Sequence, residues 1–251
     1  MAAPTVPVTQ EPLPEAVQAL AAAERLGALR ETFLPKRHGA GRVTAMLFFT
    51  LLGLACFVLP GLFFIWVLWQ TPNFNPKQAA RRLHLFDHGL VVVDHTGPVG
   101  ALRWDSMAAL QQITERYANG IHVGTNYVYT LYTQNGATIK VTDLFANPER
   151  WGLIIQHAIT NAQLPGVLEM LGRGETVRFG DIAVTTGGVA TPKRGAVGWA
   201  EIQRFEVKDG MVFLSRAGKL LPWSSTPVGK IPNFFLFLAT VERLRRQQSA
   251  V

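Results

Sequence analysis

The chain is short of cysteine and short of charge. A single cysteine, Cys56, stands in 251 residues, which excludes an intramolecular disulfide and any zinc site built on several thiolates. Charged residues make up 16% of the sequence, against roughly 25% in an ordinary soluble protein, a composition too apolar for disorder. There is no G-x-S-x-G elbow, no phosphate-binding glycine loop with its lysine and no H-E-x-x-H pair, so neither an enzyme signature nor a cofactor motif is present. The formal charge of +7 and the pI near 9.9 raise nucleic acid as a partner. With the basic residues dispersed and no arginine-rich stripe, none is expected. His84, His88 and His95, with Asp87 and Asp94, invite a metal reading. Their bend-forming neighbours favour surface loops instead, so no metal ligand is assigned.

What is present is one long apolar run. No charged residue occurs between Val43 and Pro76, and Val43 to Trp69 is almost wholly apolar. As one helix, about 27 residues at about 1.5 Å each would span a hydrocarbon core about 30 Å thick. Pro60-Gly61 interrupts the run. Two geometries follow: one tilted helix kinked there, or a hairpin of two legs, Val43 to Leu59 and Leu62 to Phe74. Arg25, Arg30, Lys36, Arg37 and Arg42 precede the run and Lys77, Arg81 and Arg82 follow it. Basic residues on both flanks favour the hairpin, with both ends cytoplasmic. Before the run, Met1 to Leu13 is proline-rich, and Pro14 to Phe33 reads as an amphipathic helix, either interfacial or packed on the rest of the protein.

After the run the chain carries a weak internal repeat. Trp104 and Trp199 are each followed by apolar residues at plus three (Met107, Ile202) and plus six (Leu110, Phe205). Alternating runs then follow, punctuated by Asn119-Gly120 and Asn135-Gly136 in the first half and by Asp209-Gly210 and Ala217-Gly218 in the second. Strands over Leu83 to Val93 and Thr176 to Thr185 precede the tryptophans, and Leu220 to Trp223 reads as the last strand. Each half closes on a helix, one starting at Asn147-Pro148 and one near Pro232-Asn233. Leu164 to Gly174 reads as a separate helical linker. All four tyrosines lie between Tyr117 and Tyr132, with Tyr127 and Tyr129 on one strand face, which favours the core of the sheet over a binding surface.

The segments LHLFDHGLVVV, ALRWDSM, TNYVYTL, ETVRFGDIAV and KIPNFFLFLATVERL resemble an uncharacterised family of bacterial membrane proteins with tandem pleckstrin-homology-like (PH-like) domains, over Leu83 to Leu244. The resemblance implies a membrane-anchored α+β fold. An N-terminal transmembrane segment or helical hairpin would be followed by two small β-rich PH-like domains, each closed by a C-terminal helix. The expected segments are 1–42 (flexible region with amphipathic helix), 43–76 (membrane segment), 77–163 (first PH-like domain) and 164–251 (linker and second). It implies no activity, cofactor or catalytic residue. By analogy with lipid-binding PH domains, Lys193 and Arg194 are the expected lipid contacts, although neither half has a dense basic cluster. Gly166 to Val251 holds 12 basic and 7 acidic residues, so the excess charge lies mostly in the second half.

The expected function is a non-catalytic, membrane-anchored interaction protein. It would contact membrane lipids through 43–76 and bind a protein or peptide partner through its PH-like domains, at the inner membrane with those domains cytoplasmic. A homo-oligomer remains open. The alternatives are an anionic-lipid sensor using the second domain, and an enzyme with a pocket between the domains.

Overall fold

The computed structural model describes residues 12–249 apart from 57, 119, 120, 134, 135, 137 and 220. The expected turns at Asn119-Gly120 and at Asn135, and most of the proline-rich N-terminal segment, lie outside the described residues. The chain forms two compact units. One holds the residues up to Arg103 with Asp143–Pro148, and the other holds Trp104–Thr142 with Glu149 onward.

In the first unit, α1 (Glu15–Ala23) buries Val17 and Ala21. The expected helix over 14–33 ends there, because Arg25 (φ 53°) and Gly27 (φ 80°) adopt left-handed backbone that a helix cannot contain. Leu26 turns into the core, and the chain continues as strand β1 (Leu29–Phe33). Asp87 fixes the turn by accepting from Ala28 N at 3.0 Å and from Arg30 Nε at 2.5 Å. β1 pairs antiparallel with β2 (Arg82–Phe86), setting Thr32 opposite His84 and Phe33 opposite Leu83. With β3 (Gly89–Asp94) and β4 (Gly97–Arg103) they form a four-stranded meander in the order β1-β2-β3-β4. Val17, Ala21, Leu26, Phe86, Val91 and Val93 make one core against it.

Between β1 and β2 the apolar run is divided into α2 (Ala40–Cys56) and α3 (Val58–Trp69). At 17 and 12 residues they reach about 26 Å and about 18 Å. Among the described residues no helix is long and apolar enough to cross a membrane. The expected N-terminal transmembrane segment, and with it the membrane-anchored fold class and the description as a transmembrane-helix membrane protein, is therefore corrected. Pro60 and Gly61 lie within α3, close to its first described residue, Val58. The two helices touch backbone to backbone: a Cβ on Gly53 would lie 3.2 Å from Gly61 N, and one on Gly61 would lie 2.7 Å from Leu54 Cα. A short helix, α4 (Pro76–Ala79), capped by the Asn75 side chain, returns the chain to β2.

In the second unit, β5 (Ala108–Ala118), β6 (Ile121–Tyr132) and β7 (Thr138–Thr142) form a three-stranded meander. It is followed by α5 (Pro148–Gly172). Next comes a four-stranded meander of β8 (Val177–Phe179), β9 (Ile182–Val184), β10 (Gly188–Thr191) and β11 (Gly195–Gly198). A three-stranded one follows, β12 (Ile202–Lys208), β13 (Met211–Arg216) and β14 (Ser224–Pro227), and α6 (Phe234–Ser249) closes the chain. The same order, four strands, three strands, helix, thus occurs twice. Trp104 and Trp199, both buried, stand at the equivalent step from four-stranded to three-stranded sheet.

The separate linker expected over Leu164 to Gly174 is the second half of α5, which runs through Pro165 without a break. Its first half buries Trp151, Ile155 and Ile159. Its second half places Leu164, Val167 and Leu171 against the core of Val184, Trp199, Leu214 and Phe237. That shared helix side offsets the hydrogen bond lost at proline.

Candidate functional site

The exposed apolar side chains are concentrated on one feature. Of 20 large hydrophobic residues exposed among the described residues, 13 lie on α2 and α3. They include Phe48 (59% exposed), Leu51 (67%), Leu59 (79%), Phe63 (57%) and Trp69 (65%). Within the two helices only Thr50 and Gly61 are buried. The Thr50 hydroxyl is returned to the Met46 carbonyl at 2.7 Å, so it adds no outward polarity. A contiguous apolar surface of this kind marks a site of contact with a partner or a lipid surface.

The sequence around it is one-sided in charge. No aspartate or glutamate occurs from Thr32 to Phe86, while Lys36, Arg37 and Arg42 precede or open α2 and Lys77, Arg81 and Arg82 follow α3. The His38 imidazole is held below its usual pKa by burial and then by Arg42 and Lys36. Asn73 ties the two ends of the helical pair together: its Oδ1 accepts from His38 N at 2.8 Å and its Nδ2 donates to His38 O at 3.0 Å. Beside this clamp is an open cleft of about 270 Å³ lined by Arg37, Pro72, Asn73, Phe74, Pro76 and Ala79. Trp66 and Trp69 occupy the end of α3 nearest in sequence to the clamp, and the residues from Leu54 to Leu62 carry no charge.

The residues singled out from sequence are dispersed. Lys193 and Arg194 form the exposed turn between β10 and β11, closed by Arg194 N to Thr191 O at 3.3 Å. His84 is buried in β2 with Nδ1 2.9 Å from Thr32 Oγ1, whereas Asp87 is engaged by Arg30 and Asp94 by Thr96. No three potential metal ligands converge among the described residues. Of the tyrosines, Tyr129 is buried with its ring edge-on to Trp151 at 5.1 Å, and Tyr127 is half-buried beside Glu149.

Sequence reasoning missed a buried amide cluster. Gln156 Nε2 donates to Gln111 Oε1 and to Tyr129 Oη, and Gln156 Oε1 is left without a protein partner. The adjoining cavity of about 10 Å³ has room for about one water. Burial pushes the Tyr129 hydroxyl well above its ordinary pKa, so it stays protonated. Amides and a neutral phenol supply neither a nucleophile nor a base at ordinary pH, so the cluster holds the β5–β6 register against α5. No sequence signal singles out these two glutamines, since Gln112 and His157 beside them are polar as well.

No curated protein and no solved structure shows a significant match to the chain. A family model, Family of unknown function (DUF6585), matches residues 9–250. Since that match takes in nearly the whole chain, the protein belongs to this family of unknown function.

Proposed function

We propose that the chain is a non-catalytic interaction protein that docks on an anionic lipid surface and presents two PH-like modules to a protein or peptide partner. In this reading α2 and α3 enter one leaflet without crossing the bilayer. The observation that carries it is the pair of apolar helices exposed on nearly every side and bracketed at both ends by basic residues, with no acidic residue from Thr32 to Phe86. Apolar helices too short to span are a pattern of re-entrant or interfacial segments. Tryptophans at the bracketed end suit the headgroup boundary. The PH-like reading is supported by the twofold order of a four-stranded meander, a three-stranded meander and a helix. The cytoplasmic leaflet is the proposed location, since its anionic lipids attract basic flanks at about 1 kcal/mol per residue.

Flotation of the full chain with phosphatidylcholine vesicles, with and without phosphatidylserine, tests the docking. Binding should be strengthened by the anionic lipid, and Trp66 and Trp69 fluorescence should be quenched by lipid brominated on its acyl chains. A chain that stays at the bottom of the gradient with both vesicles refutes it. Leu59→Asp combined with Phe63→Asp should abolish flotation. Affinity capture on the vesicle-bound chain then tests the partner: no enrichment over vesicles carrying the unrelated fold of a control protein would count against the second half of the proposal.

A further inference from the structure

We propose that the cleft beside the Asn73 clamp binds a phosphate group through the Arg37 guanidinium and that, in the docked chain, this group is the phosphomonoester of an anionic lipid such as phosphatidic acid. The inference rests on the docking reading for the source of the phosphate, and on the cleft itself for the chemistry.

Three observations converge on the cleft. Arg37 lines it, is exposed, and makes no hydrogen bond or ion pair among the described residues. A guanidinium left free in this way retains its planar fork of donors, which matches phosphate oxygens in a bidentate arrangement. The walls are pre-formed. Asn73 spends both side-chain polar atoms on the His38 backbone, and Pro72 and Pro76 have fixed φ, so a ligand would not have to order them. The flanking sequence is positive: Lys36 and Arg42 act on His38 by depressing its protonation, Glu31 and Asp87 lie outside the helical insertion, and the acidic residue that the fold brings near is Asp143, next to Leu144, whose carbonyl accepts from Lys36 N at 2.6 Å.

The dimensions agree with a headgroup. Twelve residues of α3 rise about 18 Å, a little more than the roughly 15 Å half-thickness of a hydrocarbon core. With α3 in one leaflet, the residues that follow it, from Thr71 to Ala79, come to the level of the lipid phosphates. A dianionic phosphomonoester offers more charge and more free oxygens than a phosphodiester, which is why the chemistry favours phosphatidic acid over phosphatidylserine.

The experiment compares the full chain, Arg37→Lys and Arg37→Gln on vesicles of phosphatidylcholine containing either phosphatidic acid or phosphatidylserine at matched surface charge. Loss of one charge alone lowers binding about fivefold on both surfaces. The site adds a further loss of about tenfold, confined to phosphatidic acid, for Arg37→Gln. Arg37→Lys, which keeps the charge and loses the fork, should show that specific loss without the general one. Equal binding of Arg37→Lys and the parent chain to phosphatidic acid overturns the proposal. A parallel titration with inorganic phosphate, read by calorimetry, separates the sources: Arg37-dependent binding of free phosphate with no preference for phosphatidic acid vesicles upholds the cleft and overturns its lipid ligand. If the parent chain floats with no vesicle, the docking reading has failed, and the phosphate titration alone decides the cleft. No heat from phosphate in that case overturns it as well.

Discussion

Acidification should loosen the first sheet through one residue, His84. Its side chain is 4% exposed in β2, between β1 and β3, with Nδ1 2.9 Å from Thr32 Oγ1 and Nε2 without a hydrogen-bond partner. Burial, and then the Arg82 charge, lower its pKa from 6.5 to about 4. The fold therefore holds the neutral imidazole, while the unfolded chain takes up a proton at higher pH. Stability contributed by this group is complete above about pH 6.5 and is lost as pH falls through 4. A difference of about 2.5 units at about 1.4 kcal/mol each amounts to roughly 3 kcal/mol when complete. At pH 5 the same two values give about 2 kcal/mol, or about thirtyfold in an opening equilibrium. The assay is hydrogen exchange read by mass spectrometry on peptides covering 82–94, comparing the parent chain with His84→Leu at each pH. The leucine variant loses the Thr32 contact and is weaker throughout, so the quantity read is the ratio of the two protections, in which intrinsic exchange rates cancel. That ratio should fall about thirtyfold between pH 7.5 and pH 5. A change of less than about threefold would show that the folded chain accepts the proton and that the argument from burial is wrong.

Other consequences are more local. Asn233, at φ 49°, accepts from Ala109 N and donates to Met107 O and Gln163 Oε1 at 2.8, 3.1 and 2.9 Å; Asn233→Ala should destabilise the second unit by about 2–4 kcal/mol in urea unfolding, and less than 0.5 would contradict it. Gly152→Ala places a Cβ 2.9 Å from Tyr129 Oη, so it should lose about 1–3 kcal/mol, partly recovered when combined with Tyr129→Phe; additive losses would show that the two do not meet. Charge reversal of Lys193 and Arg194, exposed on a turn, should leave flotation on anionic vesicles within about tenfold, and complete loss would move the lipid contact to that turn. Joining His38 to Asn73 through a few glycines deletes the helical pair. Because Asn73 already bonds the His38 backbone, loop closure adds little strain. Circular dichroism should keep its sheet signal and flotation should vanish; loss of the sheet signal would make the helices part of the fold.

The features legible in the sequence were those encoded locally. Asp209-Gly210 reads as a two-residue turn, and both residues have positive φ (51° and 71°), as that turn requires. Asn147-Pro148 reads as a helix start, and α5 begins at Pro148. What escaped depends on partners far along the chain. Leu29 to Phe33 became a strand because β2 waits on the other side of the helical insertion to pair with it, which no window around Thr32 reveals. α5 continues past Pro165 because Leu164, Val167 and Leu171 find a core supplied by later strands, so tertiary burial overrode the local breaker. β14 forms at Ser224–Pro227, whereas residues 221–223 of the expected strand are not in one and Leu220 lies outside the described residues; the place of β14 is set by the β13 pairing, Leu214 with Ser224. For the apolar run, Pro60-Gly61 and the basic flanks pointed to two legs, but the bounds of α2 and α3 differ from those expected, and the Gly53–Gly61 contact that permits close packing is visible only once the two helices are side by side. The candidate surface was thus found by composition, while its clamp and cleft depend on Asn73, a residue no motif marks.

The energetics of the helical pair bear on why it exists. Burying one large apolar side chain is worth about 1.5–3 kcal/mol. The 13 on α2 and α3 are on average about half exposed, which leaves on the order of 10–20 kcal/mol of apolar transfer unrealised in water. That is as large as the whole stability of an ordinary domain. None of the four sheets needs these side chains, since only Thr50 and Gly61 of the pair are buried, and helices of 12–17 residues have little stability of their own in water. A solvent or partner that is itself apolar must therefore complete them. An apolar protein groove would require a matching shape on every side of both helices. A leaflet requires only cations where they enter and a tilt that keeps about 26 Å of α2 and about 18 Å of α3 within a half-thickness of roughly 15 Å, and Lys36, Arg37, Arg42, Lys77 and Arg81 supply the cations.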